Sequence, residues 1–346
     1  MRWKLRARVL VLAAVLLMAA GCARPKKPGE APVLVFSAAG EVRPTAGGQS
    51  LFADRKGQGV LADVKSSFLS RDLVMADLAA GFDQGCQPLR GDESLRWSPE
   101  WMPLLSAANL KVLMLADDHA LDCGREALSL GMNAMLAQGF YLTGASRNQK
   151  EAGSPVFLTS KGITVSLLSF LTQPVPGVDE CRDCAGPAIY DRTSLINSLA
   201  EMKDRANYHV LCLHFAEREL PRLSDQELTV AKEGIDYGAD LVIGYGPASA
   251  GGIYRIRGTW VVGSMGRLTG DAADAPLKSA DGFILSAEFA PDKIMNLRLA
   301  AVELQDGKPV LLRGDPGTRA LADVVAKADA EVKDNVKLIG DILYLR

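Results

Sequence analysis

The sequence predicts an α/β fold with extensive parallel strand pairing. From residue 33 onward, short apolar runs alternate with segments whose apolar residues recur at helical spacing. Several runs are apolar throughout, which is typical of strands covered on both faces. The late runs have no long helical segment between them, so they predict an additional antiparallel portion.

Runs of β-branched or aliphatic residues predict the strands. Lys161-Gly162, between two of these runs, is typical of a hairpin turn. The predicted strands are Val33–Ser37, Leu73–Asp77, Lys111–Ala116, Val156–Thr159, Ile163–Phe170, Val210–Phe215, Leu241–Gly244, Trp260–Ser264 and Phe283–Phe289.

Helix start signals precede two of the periodic segments. Ser98 is a good cap followed by proline, and Ser224 with Glu227 three residues later forms a capping box. The predicted helices are Gly59–Ser70, Pro99–Ala108, Arg125–Gln138, Ser194–Arg205 and Ser224–Tyr237.

Residues 1–21 predict a bacterial lipoprotein signal peptide. A basic stretch precedes the apolar run Val9–Ala20, which is too short to span a bilayer, since spanning needs roughly 20 residues. The run ends in Ala19-Ala20-Gly21-Cys22, which resembles a lipobox, with Ala19 where a large aliphatic residue is usual. The alternative is a plain secretory leader followed by an incidental Cys22. Residues 22–32 predict a lipidated cysteine and a polar tether.

The composition is that of an ordinary globular protein. The chain has 346 residues, 48% hydrophobic and 23% charged, and a formal net charge of -2. All charged residues of the leader are basic, so the rest of the chain has a more negative net charge. Nucleic acid is not expected as a partner, because phosphate binding requires a basic face.

Two of the cysteines form a C-x-x-C in a polar loop. Cys181 and Cys184 could belong to half of a zinc ribbon, to a redox site or to a loop-stapling disulfide. No second pair completes a zinc ribbon, so the disulfide is favoured. Cys212, in an apolar run, is expected to be a buried small hydrophobe.

Polar residues collect at the predicted strand ends, where ligands bind in α/β sheets. They are Gly40-Glu41 after the first strand, Asp77 ending the second, Asp117-Asp118-His119-Ala120-Leu121-Asp122 after the third, His214 in the sixth, Gly244-Tyr245-Gly246-Pro247 in and after the seventh, and Ser264-Met265-Gly266-Arg267 at the eighth.

These blocks resemble the CapA family, metallophosphatase-like proteins linked to capsule and poly-γ-glutamate export. The family runs Gly-Asp, Asn-x-Glu, Asn-Asn-His-Ala-Leu-Asp, Leu-His-Trp-Gly, Gly-His-His-Pro-His and Ser-Leu-Gly-Asn-Phe in this order. The resemblance implies a metallophosphatase-like four-layer α/β/β/α sandwich with mixed sheets over residues 33–304. Residues 305–346 are expected to be a C-terminal extension with an amphipathic helix.

The departures from the family pattern concern its metal ligands. The Gly-His-His-Pro-His block is Gly244-Tyr245-Gly246-Pro247-Ala248, without histidine, and the second-strand Glu is Ala79. Glu41 replaces Asp, Asp77 replaces Asn, Asp117 and Asp118 replace two Asn, and Arg267 replaces Asn, whereas His119, Asp122 and His214 persist.

The resemblance implies roles for the residues that match it. His119 stands where the fold places its general acid, with Asp122 beside it. Glu41, Asp77, Asp118 and His214 are the expected metal ligands, and Asp117 and Arg267 are expected to bind a ligand; the alternative for Arg267 is an exposed loop charge. One oxygen-preferring cation, Mg²⁺, Mn²⁺ or Ca²⁺, suits this set, and two cations are not expected. His209 is expected to be structural. Cys86 and Cys123, in neighbouring loops, could form a disulfide.

Two function classes remain open. One is an exported binding or scaffold protein that kept the fold and lost hydrolysis, and the other is a phosphoesterase-like or ligase-associated enzyme using a single cation. The missing histidines favour the first. The expected partners are the membrane, through a lipid anchor, and a surface polymer or its export machinery. The expected location is the cell envelope, on the periplasmic face of the outer membrane if the host has two membranes.

The lipobox resemblance predicts that Cys22 is acylated and becomes the first residue of the mature chain. Mass spectrometry of the native N-terminal peptide checks this prediction. An unmodified Cys22, or cleavage at another position, would contradict it.

Overall fold

A computed structural model describes residues 31–46, 49–52, 59–89, 95–173, 181, 183–219, 221–272 and 278–346. The predicted signal peptide, Cys22 and most of the tether lie outside these residues. Pro32–Arg346 form one compact unit. None of the described helices combines the length and the apolar character needed to cross a bilayer.

The described strands fall into two large mixed sheets and three two-stranded ones. In chain order they are β1 (Leu34–Ala39), β2 (Thr45–Ala46), β3 (Gln49–Ser50), β4 (Leu73–Asp77), β5 (Gly81–Phe82), β6 (Arg96–Trp97), β7 (Val112–Met114), β8 (Tyr141–Thr143), β9 (Ala145–Ser146), β10 (Val156–Ser160), β11 (Ile163–Leu171), β12 (Gly186–Pro187), β13 (Tyr208–His214), β14 (Leu241–Tyr245), β15 (Gly251–Ile256), β16 (Thr259–Ser264), β17 (Gly282–Phe289), β18 (Ile294–Gln305), β19 (Lys308–Leu311), β20 (Val336–Ile339) and β21 (Ile342–Leu345).

The larger sheet has nine strands in the order β20-β21-β18-β17-β1-β4-β7-β8, with β19 also paired to β18. Strands β1, β4, β7 and β8 pair in parallel. The late strands β17, β18 and β19 pair antiparallel, as predicted from the absence of long helices between them, and β20 and β21 also pair antiparallel. Strand β1 therefore lies inside the sheet, between β4 and β17.

The smaller sheet has six strands in the order β10-β11-β13-β14-β16-β15. Its four central strands are parallel, and an antiparallel strand closes each edge. The predicted hairpin turn is confirmed, because Lys161 and Gly162 join β10 to β11 with positive φ angles of 53° and 78°.

Three of the described helices begin at a residue whose side chain caps them: Asp191, Ser224 and Asp329. The described helices are α1 (Ala62–Lys65), α2 (Met102–Ala107), α3 (Gly124–Ala137), α4 (Gln149–Ala152), α5 (Arg192–Met202), α6 (Asp225–Asp236), α7 (Gly314–Lys327) and α8 (Ala330–Asp334). The capping box of α6 is confirmed, with the Ser224 N–H donating to Glu227 at 2.8 Å. Helix α1 is shorter than predicted, because Leu61 at its start offers no side-chain cap and turns flank it.

Strand β13 shows why the central strands are apolar on both faces. Cys212 is buried towards the larger sheet, with its sulfur 4.0 Å from that of Met75 in β4. Leu211 and Leu213, on the opposite face, belong to the apolar cluster that includes α5 and α6. Helix α3 contacts β8 of the nine-stranded sheet and the short strand β5. The α/β sandwich with mixed sheets is confirmed.

The segment after residue 304 adds to both the sheet and the helices. Helix α7 buries Ala320, Leu321 and Val324 and contacts β18. The hairpin of β20 and β21 extends the nine-stranded sheet through the pairing of β21 with β18.

A close backbone crossing lies beside the predicted site. The Glu41 N–H donates to Gly266 O at 2.9 Å, and the Leu268 N–H donates to Glu41 O at 2.7 Å. A Cβ atom at Gly40 would lie 2.6 Å from Gly266 O and 2.8 Å from the carbonyl carbon of Arg267. Only glycine fits at position 40 unless one of the two backbone segments moves.

We expect Gly40→Ala to lower the free energy of unfolding by about 2 kcal/mol or more, because the added methyl group meets rigid backbone atoms. Urea unfolding followed by circular dichroism measures this loss. Gly59→Ala is the control, since a Cβ at Gly59 meets nothing within 4 Å. Equal unfolding midpoints for the two variants would contradict the close crossing.

Candidate metal centre

Strand ends from both sheets converge on the predicted site residues. Glu41 follows β1, Asp77 ends β4 and His214 ends β13. The loop after β7 carries Asp117, Asp118, His119 and Asp122. Because the two sheets pack face to face, the structure brings the predicted metal-binding residues together.

Four side chains form what we term the buried acidic cluster: Glu41, Asp77, Asp117 and His214. All four are fully buried, and one ligand atom from each lies within 4.8 Å of the others. His214 Nδ1 lies 3.0 Å from Asp77 Oδ2 and 3.3 Å from Asp117 Oδ2. Glu41 Oε1 accepts a hydrogen bond of 2.8 Å from the Gly246 N–H.

Burial and mutual repulsion change the ionisation of the cluster. Burial raises the pKa of Asp77 to about 6, against the effect of its hydrogen bond to His214. Burial also raises the pKa of Asp117, and the Asp77 carboxylate raises it further. Burial lowers the pKa of His214, but the carboxylates of Asp117, Asp118 and Asp77 outweigh it and hold that pKa well above its ordinary value. The cluster therefore favours bound protons when no cation is bound.

Two oxygen atoms of the cluster are buried without a hydrogen-bond partner among the described residues. These atoms are Asp77 Oδ1 and Asp117 Oδ2. An unpaired buried carboxylate oxygen is costly, and a bound cation would supply the missing partner. Three carboxylates and one imidazole suit Mg²⁺, Mn²⁺ or Ca²⁺. The residues therefore fit one divalent cation. Asp117, predicted as a ligand-binding residue, lies in this cluster, and Asp118, predicted as a metal ligand, does not.

Asp118, His119 and Glu217 form a second group, which we term the rim cluster. One ligand atom from each lies within 4.8 Å of the others. Asp118 Oδ1 connects the two clusters, because it lies 3.2 Å from His214 Nε2. Glu217 was not predicted as a site residue. Its position in the loop directly after β13, close behind His214, is the signal that could have found it.

His119 is oriented by a neighbouring carboxylate. Its Nδ1 lies 2.8 Å from Asp122 Oδ2, which also accepts a hydrogen bond of 2.8 Å from the Leu95 N–H. The His119 N–H donates to Asp117 Oδ1 at 2.6 Å. A carboxylate on Nδ1 fixes the tautomer and the direction of the ring, which is the arrangement that proton transfer requires.

Two arginines stand beside both clusters, and we refer to Arg43 and Arg267 as the arginine pair. Each side chain lies within 3.0 Å of the same atom, Glu217 Oε1. Arg43 Nε also lies 3.1 Å from Glu41 Oε2. Arg267 is only 9% exposed, so the alternative of an exposed loop charge is wrong. Burial raises the pKa of Glu217, but the two guanidinium groups outweigh it and hold that pKa below its ordinary value.

The block without histidines packs so closely that its third position has no room for a side chain. Gly246 has a φ of 105°, and a Cβ atom there would lie 2.2 Å from Phe215 O. Tyr245 is fully buried, and its hydroxyl has no hydrogen-bond partner within the described part of the chain. An imidazole at position 246 would therefore require the chain to move.

Both cysteine pairs considered from the sequence form disulfides. Cys181 is bonded to Cys184, and Cys86 is bonded to Cys123, next to Asp122. Cys212 is a buried free thiol, and His209 contacts Ser166 at 2.7 Å, outside both clusters.

The comparison with protein families decides the relationship. The family of bacterial capsule synthesis proteins designated PGA_cap matches residues 35–271. The chain belongs to the PGA_cap family. The matched range includes every residue of the two clusters and the arginine pair.

Characterised relatives of this PGA_cap protein are distant. The PGA biosynthesis protein CapA of Bacillus subtilis (strain 168) is 20% identical over 222 residues, which cover 64% of this chain and 58% of the relative. The capsule biosynthesis protein CapA of Bacillus anthracis is 25% identical over 152 residues, covering 43% of this chain and 37% of the relative. The chain thus spans less than two thirds of either relative.

A solved structure shows a fold similar to that of this PGA_cap protein. A structure described as a novel phosphatase from Mycoplasma pneumoniae has a TM-score of 0.52 and 11% identity, covering 78% of this chain and 93% of that one. The metallophosphatase-like fold is confirmed.

We expect Asp117→Asn to raise the free energy of unfolding of the cation-free protein by about 1 kcal/mol at pH 8, because the buried carboxyl group must there either carry a charge or take up a proton, and the amide does neither. The raised pKa of Asp117 means that its contribution to stability falls as the pH rises from the unfolded-state pKa through the folded-state pKa. The gain should therefore be larger at pH 8 than at pH 4.

Urea unfolding in EDTA at both pH values measures this gain. Asp292→Asn, at an exposed turn, is the control and should change little. A variant less stable than the wild type at pH 8 would show that the Asp117 charge is compensated within the protein.

Proposed function

We propose that this chain is an envelope-anchored binding protein of capsule or poly-γ-glutamate-type polymer biosynthesis or export, which holds one divalent cation in the buried acidic cluster. The observation that carries the cation site is the pair of buried oxygens, Asp77 Oδ1 and Asp117 Oδ2, that accept no hydrogen bond from the described residues. Membership of a capsule synthesis family and the similarity to CapA proteins support a role in polymer biosynthesis or export.

The charge around the cluster supports a single cation. Two-metal hydrolysis needs a second cation a few ångströms from the first. Here the Arg43 guanidinium lies 3.1 Å from Glu41 and carries a permanent positive charge. This charge repels a second cation, and the Gly244–Ala248 block offers no imidazole to bind one. The rim cluster also offers ligand atoms, but Arg43 and Arg267 lie 3.0 and 2.7 Å from its Glu217, so a cation there would compete with two guanidinium groups. Binding is therefore favoured over two-metal hydrolysis.

The anchoring part of the proposal rests on the sequence around Cys22. A lipid on this cysteine would tether the folded part to the membrane, on the periplasmic face of the outer membrane in a host with two membranes. The partner would be the surface polymer or its export machinery, since a tethered binding domain acts on components of the same envelope.

A second candidate function is a phosphoesterase-like reaction with a single cation. The hydrogen bond between His119 and Asp122 favours it, because this pair is oriented for proton donation beside the cation ligands. In this case the bound cation would stabilise charge on the ester oxygens. His119 would donate the proton to the leaving group.

We expect the purified protein to bind one equivalent of Mn²⁺ per chain. His214→Ala and Asp77→Ala should each weaken binding by about 100-fold or more, because each removes a ligand of the buried acidic cluster. Equilibrium dialysis with elemental analysis measures both quantities. His209→Asn is the matched control, since His209 lies outside the two clusters.

Turnover of p-nitrophenyl phosphate and its bis-ester by the same proteins separates the two candidate functions. We expect no metal-dependent turnover. Turnover that is lost in His119→Ala but kept in His209→Asn would favour the enzyme, and two equivalents of Mn²⁺ lost together in His214→Ala would contradict the single-cation site.

A further inference from the structure

The arginine pair converges on one carboxylate oxygen. Arg43 Nη2 lies 3.0 Å and Arg267 Nη2 lies 2.7 Å from Glu217 Oε1. Both arginines are 9% exposed, whereas the Glu217 side chain is 39% exposed. Two buried cationic groups are thus satisfied by an acidic side chain that reaches them from the solvent side.

The two arginines are not equally well paired. Arg43 has a second carboxylate, that of Glu41, at 3.1 Å. Arg267 has Glu217 as its one carboxylate partner among the residues described, and its Nη1 donates to the Asp271 carbonyl at 2.8 Å. Its Nε is buried and has no hydrogen-bond partner there. Arg267 therefore retains a donor that a second acceptor oxygen could use.

Glu217 lies in the segment between β13 and α6, where residues 215–218 form no regular secondary structure. Its neighbours are fixed by the chain around them, because Arg218 forms two hydrogen bonds to Glu227, at 2.8 and 3.0 Å, and its carbonyl accepts from the Ala248 N–H. The Glu217 carboxylate can therefore leave the arginine pair by side-chain rotation, without unfolding the segment.

We propose that Arg43 and Arg267 form a carboxylate-binding subsite, which Glu217 fills until a carboxylate of a γ-linked glutamate chain replaces it. Arginine binds carboxylates through paired N–H donors, and here a carboxylate already occupies the position. This inference deepens the proposed function and rests on it for the identity of the polymer.

A singly charged carboxylate suits the position better than phosphate. The arginine pair provides two positive charges, but Glu41 is hydrogen-bonded to one of them and Asp118 lies in the same rim cluster as Glu217. A doubly charged phosphate would meet more repulsion from these acids than a carboxylate does. A cation in the buried acidic cluster would reduce that repulsion and strengthen binding of either anion.

The test is calorimetric titration of the full chain with tri-γ-glutamate, in EDTA and again with Mn²⁺. Glu217→Gln should tighten binding on the order of 3–10-fold, because an internal competitor lowers the apparent affinity by the fraction of time it fills the site. Arg267→Gln should weaken binding by about 10-fold or more, and Arg267→Lys by less, since lysine keeps the charge but not the paired donors. Arg222→Gln, which changes an exposed arginine between β13 and α6, is the control and should bind as the wild type does.

Thermal unfolding provides a second measurement. Glu217→Gln leaves two buried guanidinium groups with less counter-charge, so the melting temperature of the variant should be lower than that of the wild type. Tri-γ-glutamate should then raise the melting temperature of the variant by more than it raises the melting temperature of the wild type. If Glu217 is only a structural partner, Glu217→Gln will bind no more tightly than the wild type, and that result overturns the proposal. Equal binding by wild type and Arg267→Gln overturns it as well.

Inorganic phosphate and the fully amidated tri-γ-peptide complete the experiment. Phosphate that binds as tightly as tri-γ-glutamate, or an amidated peptide that binds equally well, overturns the assignment to carboxylates. Loss of Mn²⁺ binding alone, with the carboxylate pattern intact in EDTA, would refute the cation site and leave this subsite standing. Mn²⁺ binding as expected, without the expected differences in tri-γ-glutamate binding, would refute the subsite alone.

Discussion

The close crossing of Gly40-Glu41 over Gly266-Arg267 is the contact on which the site depends. It joins the end of β1 to the segment that follows β16, so the two sheets are fixed to each other at their carboxyl ends. From one side it directs Glu41 into the buried acidic cluster, and from the other it supplies Arg267. A Cβ atom at position 40 would push the two backbone segments apart. This change of spacing would displace both Glu41 and Arg267.

Charge balance explains how this member of the family differs from the pattern it resembles. Burying three carboxylates beside one imidazole is unfavourable unless positive charge accompanies them. Part of that charge is permanent, because Arg43 contacts Glu41 and cannot lose its proton. In the proposed function, the remainder would come from a cation that can dissociate. Such a site would keep its shape with one metal ion, but it would lack the polarising power that a second metal ion brings.

The sequence predicts those features that repeat locally and misses those that depend on packing between distant segments. The central strands could be predicted because burial on both faces leaves continuous apolar runs, as in β13. The edge strand β8 was missed because Tyr141 is half exposed and the strand is short. Strand β18 alternates buried and exposed residues along much of its length, as a half-buried strand does, but it was missed where Asn296 interrupts the extended backbone with a positive φ of 50°. Matches at strand ends located the acidic residues, but Arg43 and Glu217 become neighbours only when the two sheets pack, and no local pattern encodes that distance.

The position of β1 inside the nine-stranded sheet has a consequence for how the chain can be divided. The family match ends at residue 271, yet the strand that covers one edge of β1 begins at Gly282. A fragment cut at the end of the match would present β1 with a complete row of unpaired N–H and C=O groups, which is a template for pairing with other chains. Such contacts between sequence-distant strands also form slowly, because a long loop must close first. A version shortened at residue 271 would therefore lack the strand that pairs with β1, and we expect it to aggregate rather than to fold as a minimal domain.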